Sequence, residues 1–310
     1  MPGRARRSPC PPACLALATL LALAGPGRAA APHYDHIVVV IMENKSFAEA
    51  SSQPYTASLM SQGATFTSSF AVRHPSQPNY FALWAGNTLG ITNDNCPAPF
   101  SPFSSENLGH ACEAAGLGWR AYSENLAFAG STACSYDGTS TTGLYTRKHD
   151  PWTYFQNVTH ANERPYTDLA ADLAANALPN LAFIVPNNCH NSHNSTTPGC
   201  GLADADAWLA ANLPPVLAAL GPKGLLVLTW DEDDSSANNQ ILTVFVGPLV
   251  VPGAVSSQPI THYTIVRMIC EGLGLAPFER SVGEASIAGV WKAVTPVRTA
   301  SWGRLKASYR

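Results

Sequence analysis

The chain has 310 residues, 46% hydrophobic and 13% charged, with 25 prolines and 23 glycines. Apolar material on this scale builds a sizeable core and excludes intrinsic disorder and a coiled coil. A formal net charge of -3 from 18 basic and 21 acidic residues excludes a nucleic-acid partner, which would need a basic footprint to neutralise phosphates.

In chain order, Arg4, Arg6 and Arg7 precede an apolar run from Ala13 to Ala24 and a small-residue stretch from Gly27 to Ala31. This is the order of a secretory signal peptide over residues 1–30. The run is too short for a stable membrane span, and no later segment is long enough for one. The mature protein, residues 31–310, is therefore expected to be exported, to the periplasm or the medium. Cys96, Cys112, Cys134, Cys189, Cys200 and Cys270 remain after the leader, an even set suited to disulfides in an oxidising compartment. Cys189 and Cys200 close a short polar loop at low entropic cost. Cys96 with Cys134 and Cys112 with Cys270 is the preferred pairing of the others. The set Cys189, His190, His193 and Cys200 also has the ligand types of a zinc site, a reading that export disfavours.

His36 to Met42 is an almost unbroken apolar, β-branched run, as expected of a strand buried on both faces. Similar strands are readable at Leu181 to Val185, Leu225 to Trp230 and Ile241 to Val246. Helical patterns lie near Asn79 to Trp84, Ser105 to Ala115, Tyr166 to Ala177, Ala203 to Leu220 and Tyr263 to Leu273. Strands alternating with helices predict an α/β fold, a mostly parallel sheet sandwiched by helices. The stretch from Gly90 to Pro165 is rich in Ser, Thr, Asn, Gly, Pro and aromatics and reads as a loop-rich insertion in a single domain. The chain lacks a Gly-x-Ser-x-Gly elbow, a Walker loop, His-Glu-x-x-His and a completed dinucleotide fingerprint, which removes support for ordinary serine hydrolases, NTPases and dehydrogenases.

Two strand ends carry oxygen ligands: Glu43-Asn44 after the first strand, and Asp231-Glu232-Asp233-Asp234 after the strand ending at Trp230. On parallel neighbours these groups converge at one sheet edge, where a hard divalent cation would bind. A single acidic cluster reads as a solvated strand exit; two in equivalent positions point to a site. Between them lies His74-Pro75-Ser76-Gln77-Pro78-Asn79-Tyr80, with Pro78 suited to the first turn of a helix. Ser76 is then either a plain N-cap or a nucleophile at an anion-favouring helix start. Lys148, His149, His190, His193 and His262 could bind phosphate or move a proton, whereas His33, His36, His110 and His160 read as structural.

The ordered motifs Ile41-Met42-Glu43-Asn44-Lys45-Ser46-Phe47, His74 to Tyr80, Arg147-Lys148-His149-Asp150-Pro151-Trp152, Thr229-Trp230-Asp231-Glu232-Asp233-Asp234 and Ile260-Thr261-His262-Tyr263 resemble the phosphoesterase family of secreted acid phosphatases and bacterial phospholipases C. The resemblance extends to the short secreted bacterial acid phosphatases active on phosphoinositides through Ala85-Gly86-Asn87-Thr88 and Asp206-Ala207-Trp208-Leu209. It implies an alkaline-phosphatase-like fold, Glu43, Asn44, Asp231 and Glu232 as metal ligands, Ser76 as nucleophile, and His149, His193 and His262 around the phosphoryl group. His193 and His262 are the expected proton donors, with Lys148, His149 and His190 binding substrate. The implied activity is an acid phosphomonoesterase acting through a phosphoserine on a small-molecule or lipid phosphate ester. A phospholipase C-type diesterase and an inactive binding protein of the same fold are the alternatives. Where the family writes Asp-x-His-Asp this chain has Asn191-Ser192-His193-Asn194, so one divalent ion per chain is expected. No residue pattern sets an oligomeric state.

Overall fold

The computed structural model of the protein describes residues 31–136, 143–194 and 197–293, together with Gly3; the expected leader otherwise lies outside the described residues. Strand β1 (His36–Met42) is followed by α1 (Phe47–Ser51), α2 (Pro54–Gln62), β2 (Ala64–Phe66), β3 (Ser69–Phe70) and α3 (Ser76–Ala85). Next come α4 (Leu108–Ala114), β4 (Trp119–Ser123), β5 (Glu163–Pro165), α5 (Asp168–Ala174) and β6 (Leu181–Val185). The remaining elements are α6 (Leu202–Ala219), β7 (Gly224–Trp230), β8 (Thr243–Val246), β9 (Ala254–Ser256), β10 (Ile260–Thr261) and α7 (His262–Leu273).

The main sheet runs β5-β4-β6-β1-β7-β8-β2-β9. Its pairs are parallel from β5 through β7, antiparallel on both sides of β8, and parallel again between β2 and β9. Strand β1 is central because its side chains are apolar in both directions. Ile37, Val39 and Ile41 enter one core, with residues of α3, α4 and α7; Val38, Val40 and Met42 enter the other, with residues of α2, α5 and α6. Each fully buried Val or Ile stabilises by roughly 1.5–3 kcal/mol relative to exposure, and the register that buries them sets Glu43 at the C-terminal end of the strand.

The stretch read as a loop-rich insertion supplies two sheet strands: β4 pairs with β6, and β5 with β4. Two resembling stretches have structural work. Asp206 on α6 caps α2, accepting from Tyr55 N–H, Thr56 N–H and Thr56 Oγ1 at 2.8, 2.8 and 2.7 Å. Gly86 ends α3 at φ +61°, and a Cβ there would lie 3.2 Å from Phe278 O, so both conformation and space favour glycine.

Disulfides join Cys96 to Cys134 and Cys189 to Cys200. The expected Cys112–Cys270 bond is not formed. Both are free thiols buried in the core that holds α4 and α7, and burial pushes each up to about 12, leaving little of the thiolate that disulfide exchange requires.

Candidate active site

The C-terminal ends of β1 and β7 are adjacent, with Met42 in register with Trp230. The residues that follow are therefore neighbours: Asn44 N–H donates to Asp231 Oδ1 at 3.2 Å. Asn44 makes this turn at φ 53°, a left-handed conformation that Asn tolerates better than most residues. Of the four consecutive acids, only two face the site. Asp233 accepts from Ser235, Ala237 and Asn239 N–H and so closes its own loop, while Asp234 is exposed.

Ser76 is the first residue of α3, and Pro75 holds the N-cap position without a side-chain cap. The N-cap reading of Ser76 is thereby excluded. Its Oγ lies 3.1 Å from Glu43 Oε2 and 3.0 Å from Glu232 Oε1, fully enclosed at 2% exposure. Asn79, which sequence reasoning did not single out, fixes the turn: its Oδ1 accepts from Val72 and Arg73 N–H, and its Nδ2 donates to Arg73 O. His74 bridges Glu232 and Asp233 at 2.8 and 3.1 Å.

On the other side of Glu43 stand three nitrogenous groups. His149 Nε2 meets Glu43 Oε1 at 2.9 Å without the alignment of a hydrogen bond, its ring stacked 4.8 Å from Tyr80. Lys148 Nζ contacts Asp94 Oδ2 at 2.9 Å and His193 Nε2 at 3.1 Å. Burial drops His149 to about 4, so near neutrality it is an uncharged imidazole. Burial would raise Glu43, but contact with His149, and after it the charge of Lys148, outweigh that and hold it well below the carboxylate range. Burial and the charge of Glu43 push Asp231 well above the usual range and Glu232 to about 8.

These acids fit a cation. Asp231 Oδ2 and Glu43 Oε1 are buried without hydrogen-bond partners, and three carboxylates and an amide are hard oxygen donors. Glu43, His149 and His193 also present ligand atoms within 4.8 Å of one another. A second cation there would have to displace the Lys148 ammonium from His193 Nε2.

Two expected site residues are not brought to this centre. His190 pairs through Nδ1 with Glu124 at 2.8 Å and stacks 6.0 Å from Trp208, a corner set by the Cys189–Cys200 bond rather than by the acids. His262 is fully buried, with Nε2 2.7 Å from Asp231 O at the end of β7 and Nδ1 without a hydrogen-bond partner. Asn191 is structural: Oδ1 accepts from His193 N–H and Nδ2 donates to Pro186 O. A groove of about 810 Å³ between α5 and α6, lined by Tyr166, Leu169, Leu173 and Pro215 among others, carries no carboxylate, imidazole or ammonium.

Comparison with known proteins identifies the family and the fold. Residues 49–276 match the model of the Phosphoesterase family. The chain is 36% identical over 271 residues to the phosphatidylinositol-3-phosphatase of Mycobacterium tuberculosis, covering 86% of each. It is 30% identical over 258 residues to the phosphate-repressible acid phosphatase of Penicillium chrysogenum, covering 80% of this chain but 61% of that protein. In fold it resembles a Vibrio parahaemolyticus protein of the alkaline phosphatase superfamily, with TM-score 0.59, 11% identity, and coverage of 81% of this chain and 70% of that one.

Proposed function

The chain belongs to the Phosphoesterase family, hydrolases of phosphoric esters, and from that premise we propose that it is an exported, metal-assisted phosphomonoesterase with Ser76 as nucleophile. The observation that carries this reading is the placement of Ser76 Oγ at a helix start, between Glu43 and Glu232 and on the same acid as His149. A divalent cation held by Glu43, Asn44, Asp231 and Glu232 would supply charge neutralisation at the serine oxygen and at phosphorus.

Ser76 Oγ attacks phosphorus in line, giving its proton towards the carboxylates it already contacts, and the bond from phosphorus to the ester oxygen breaks. Lys148 and His149 bind the non-bridging oxygens, Lys148 as a permanent charge. The proton that Ser76 gives up passes to the leaving oxygen by way of His193, which Asn194 holds through Nδ1 at 3.0 Å. Water then attacks the phosphoserine and releases phosphate. His262 and Asn79 act before chemistry, by fixing the strand end and the helix start.

The substrate class is a small-molecule or lipid phosphate monoester, and the name of the mycobacterial relative directs attention to phosphoinositides. Export is supported by the leader pattern and by the two disulfides; among the described residues no helix is long and apolar enough to cross a membrane. Hydrolysis of p-nitrophenyl phosphate and bis-p-nitrophenyl phosphate, across pH and with or without chelator, tests the reading. The expected result is turnover of the monoester, lost with chelator and restored by a divalent cation. Preferential turnover of the diester would replace it with the phospholipase C-type reading, and no turnover of either with the binding-protein reading.

A further inference from the structure

Lys148 and Ser76 are far apart in sequence, yet one side chain ties them together. Asp94 Oδ1 accepts the backbone N–H of Gln77, the residue after Ser76, at 2.9 Å. Its Oδ2 meets Lys148 Nζ at 2.9 Å, with the lysine side chain 2% exposed and the aspartate 18%. The segment carrying Asp94 is held independently. With its amide oriented to satisfy its neighbours, Gln77 donates to Asn93 O at 2.8 Å and Asn95 O at 3.2 Å, and Cys96 is bonded to Cys134.

A lysine needs such an anchor. Its four-carbon stem is flexible and its ammonium is a point charge without the fixed geometry of a guanidinium. Glu43 and Asp231 also act on the charge of Lys148. Without a competing anion, the ammonium would move towards the carboxylates that the catalytic cation requires. Asp94, tied to the start of the nucleophile's helix through Gln77 N–H, counters that attraction.

We propose that Asp94 is a positioning residue that holds the Lys148 ammonium in register with Ser76, so that it meets a phosphoryl oxygen instead of collapsing onto Glu43. The inference rests on the reading of Ser76 and Lys148 as the phosphoryl site. Asp94 touches neither reacting atom; it acts through Lys148.

The test is a double-mutant cycle on the full chain with p-nitrophenyl phosphate as substrate and inorganic phosphate as competitive probe. Asp94→Asn keeps an acceptor for Gln77 N–H but removes the charge facing Lys148. It should lower kcat/KM by at least about tenfold and weaken inhibition by phosphate. In a Lys148→Met background the same change should cost less than about twofold, and Asp94→Glu should retain more activity than Asp94→Asn. Thermal melts accompany each variant; should Asp94→Asn fold poorly, Asp94→Ser, which also keeps a hydroxyl acceptor and removes the charge, takes its place in the cycle. Equal losses in both backgrounds, a neutral Asp94→Asn, or a Glu variant no better than the Asn variant would overturn the inference. A neutral Asp94→Asn beside an impaired Lys148→Met leaves the phosphoryl-site reading standing. Wild-type activity in Lys148→Met removes both.

Discussion

Ser76 Oγ stands 3.1 Å from Glu43 Oε2, although one side chain comes from a helix start and the other from the end of the central strand. With Glu232 Oε1 at 3.0 Å on the other side, the hydroxyl has two acceptors and one proton. Asp231 Oδ2 and Glu43 Oε1 beside it are buried without hydrogen-bond partners, atoms that a cation bound there would satisfy.

The acids should therefore differ sharply in their effect on metal dependence. Glu43→Gln and Asp231→Asn should each raise the metal concentration needed for half-maximal activity by about tenfold or more, since each removes a charged oxygen from a buried site. Asp234→Asn, at an exposed position, should leave it unchanged. Metal titration of activity checks this.

Restoring an acid at Asn191 should harm the loop rather than tighten metal binding. The amide Nδ2 donates to Pro186 O, and a carboxylate oxygen would face that carbonyl instead. Asn191→Asp should cost about 1–3 kcal/mol, read by denaturant unfolding, without lowering the metal concentration for half-maximal activity.

Burial pushes Asp150 from 3.8 to about 7, in spite of the Ser123 Oγ hydrogen bond at 2.7 Å. The native state thus holds a proton that the unfolded chain releases between about pH 4 and 7. Its contribution to stability falls as pH rises through that window and is level above it. Asp150→Asn cannot ionise, so its stability relative to wild type should increase from about pH 4 to 7 and then stay constant. Unfolding midpoints measured with chelator at each pH check the slope; a difference independent of pH would contradict it.

Peptide mapping without reductant should find Cys96 with Cys134, Cys189 with Cys200, and free Cys112 and Cys270. Both thiols should resist a water-soluble alkylating reagent until the protein is denatured, because they are buried and rarely ionised. Rapid labelling of the native protein would contradict the packing described.

Legibility in the sequence followed composition. Strands β1 and β6 were readable to the residue because they are apolar on both faces, as was nearly all of β7. Strand β4, Trp119-Arg120-Ala121-Tyr122-Ser123, was missed because it carries arginine and serine near the sheet margin; β5, Glu163-Arg164-Pro165, has no strand composition at all. Strand-end acids and the serine before Pro78 were visible as motifs. Asp94 was not, being one acid among asparagines and prolines whose role arises only when the loop folds against α3. His190 and His193 looked equivalent in sequence, and only the chain path separates the one at Glu124 from the one at Lys148.

The most direct test of the account is whether phosphate becomes bonded to Ser76 during turnover. Acid quenching of the enzyme with p-nitrophenyl phosphate, followed by peptide mass analysis, should find a phosphorylated peptide containing Ser76. Ser76→Ala should fold, losing at most about 1 kcal/mol at the helix start, and should give neither the phosphopeptide nor more than a trace of turnover. Sustained turnover by Ser76→Ala, or phosphate on another residue, would contradict it.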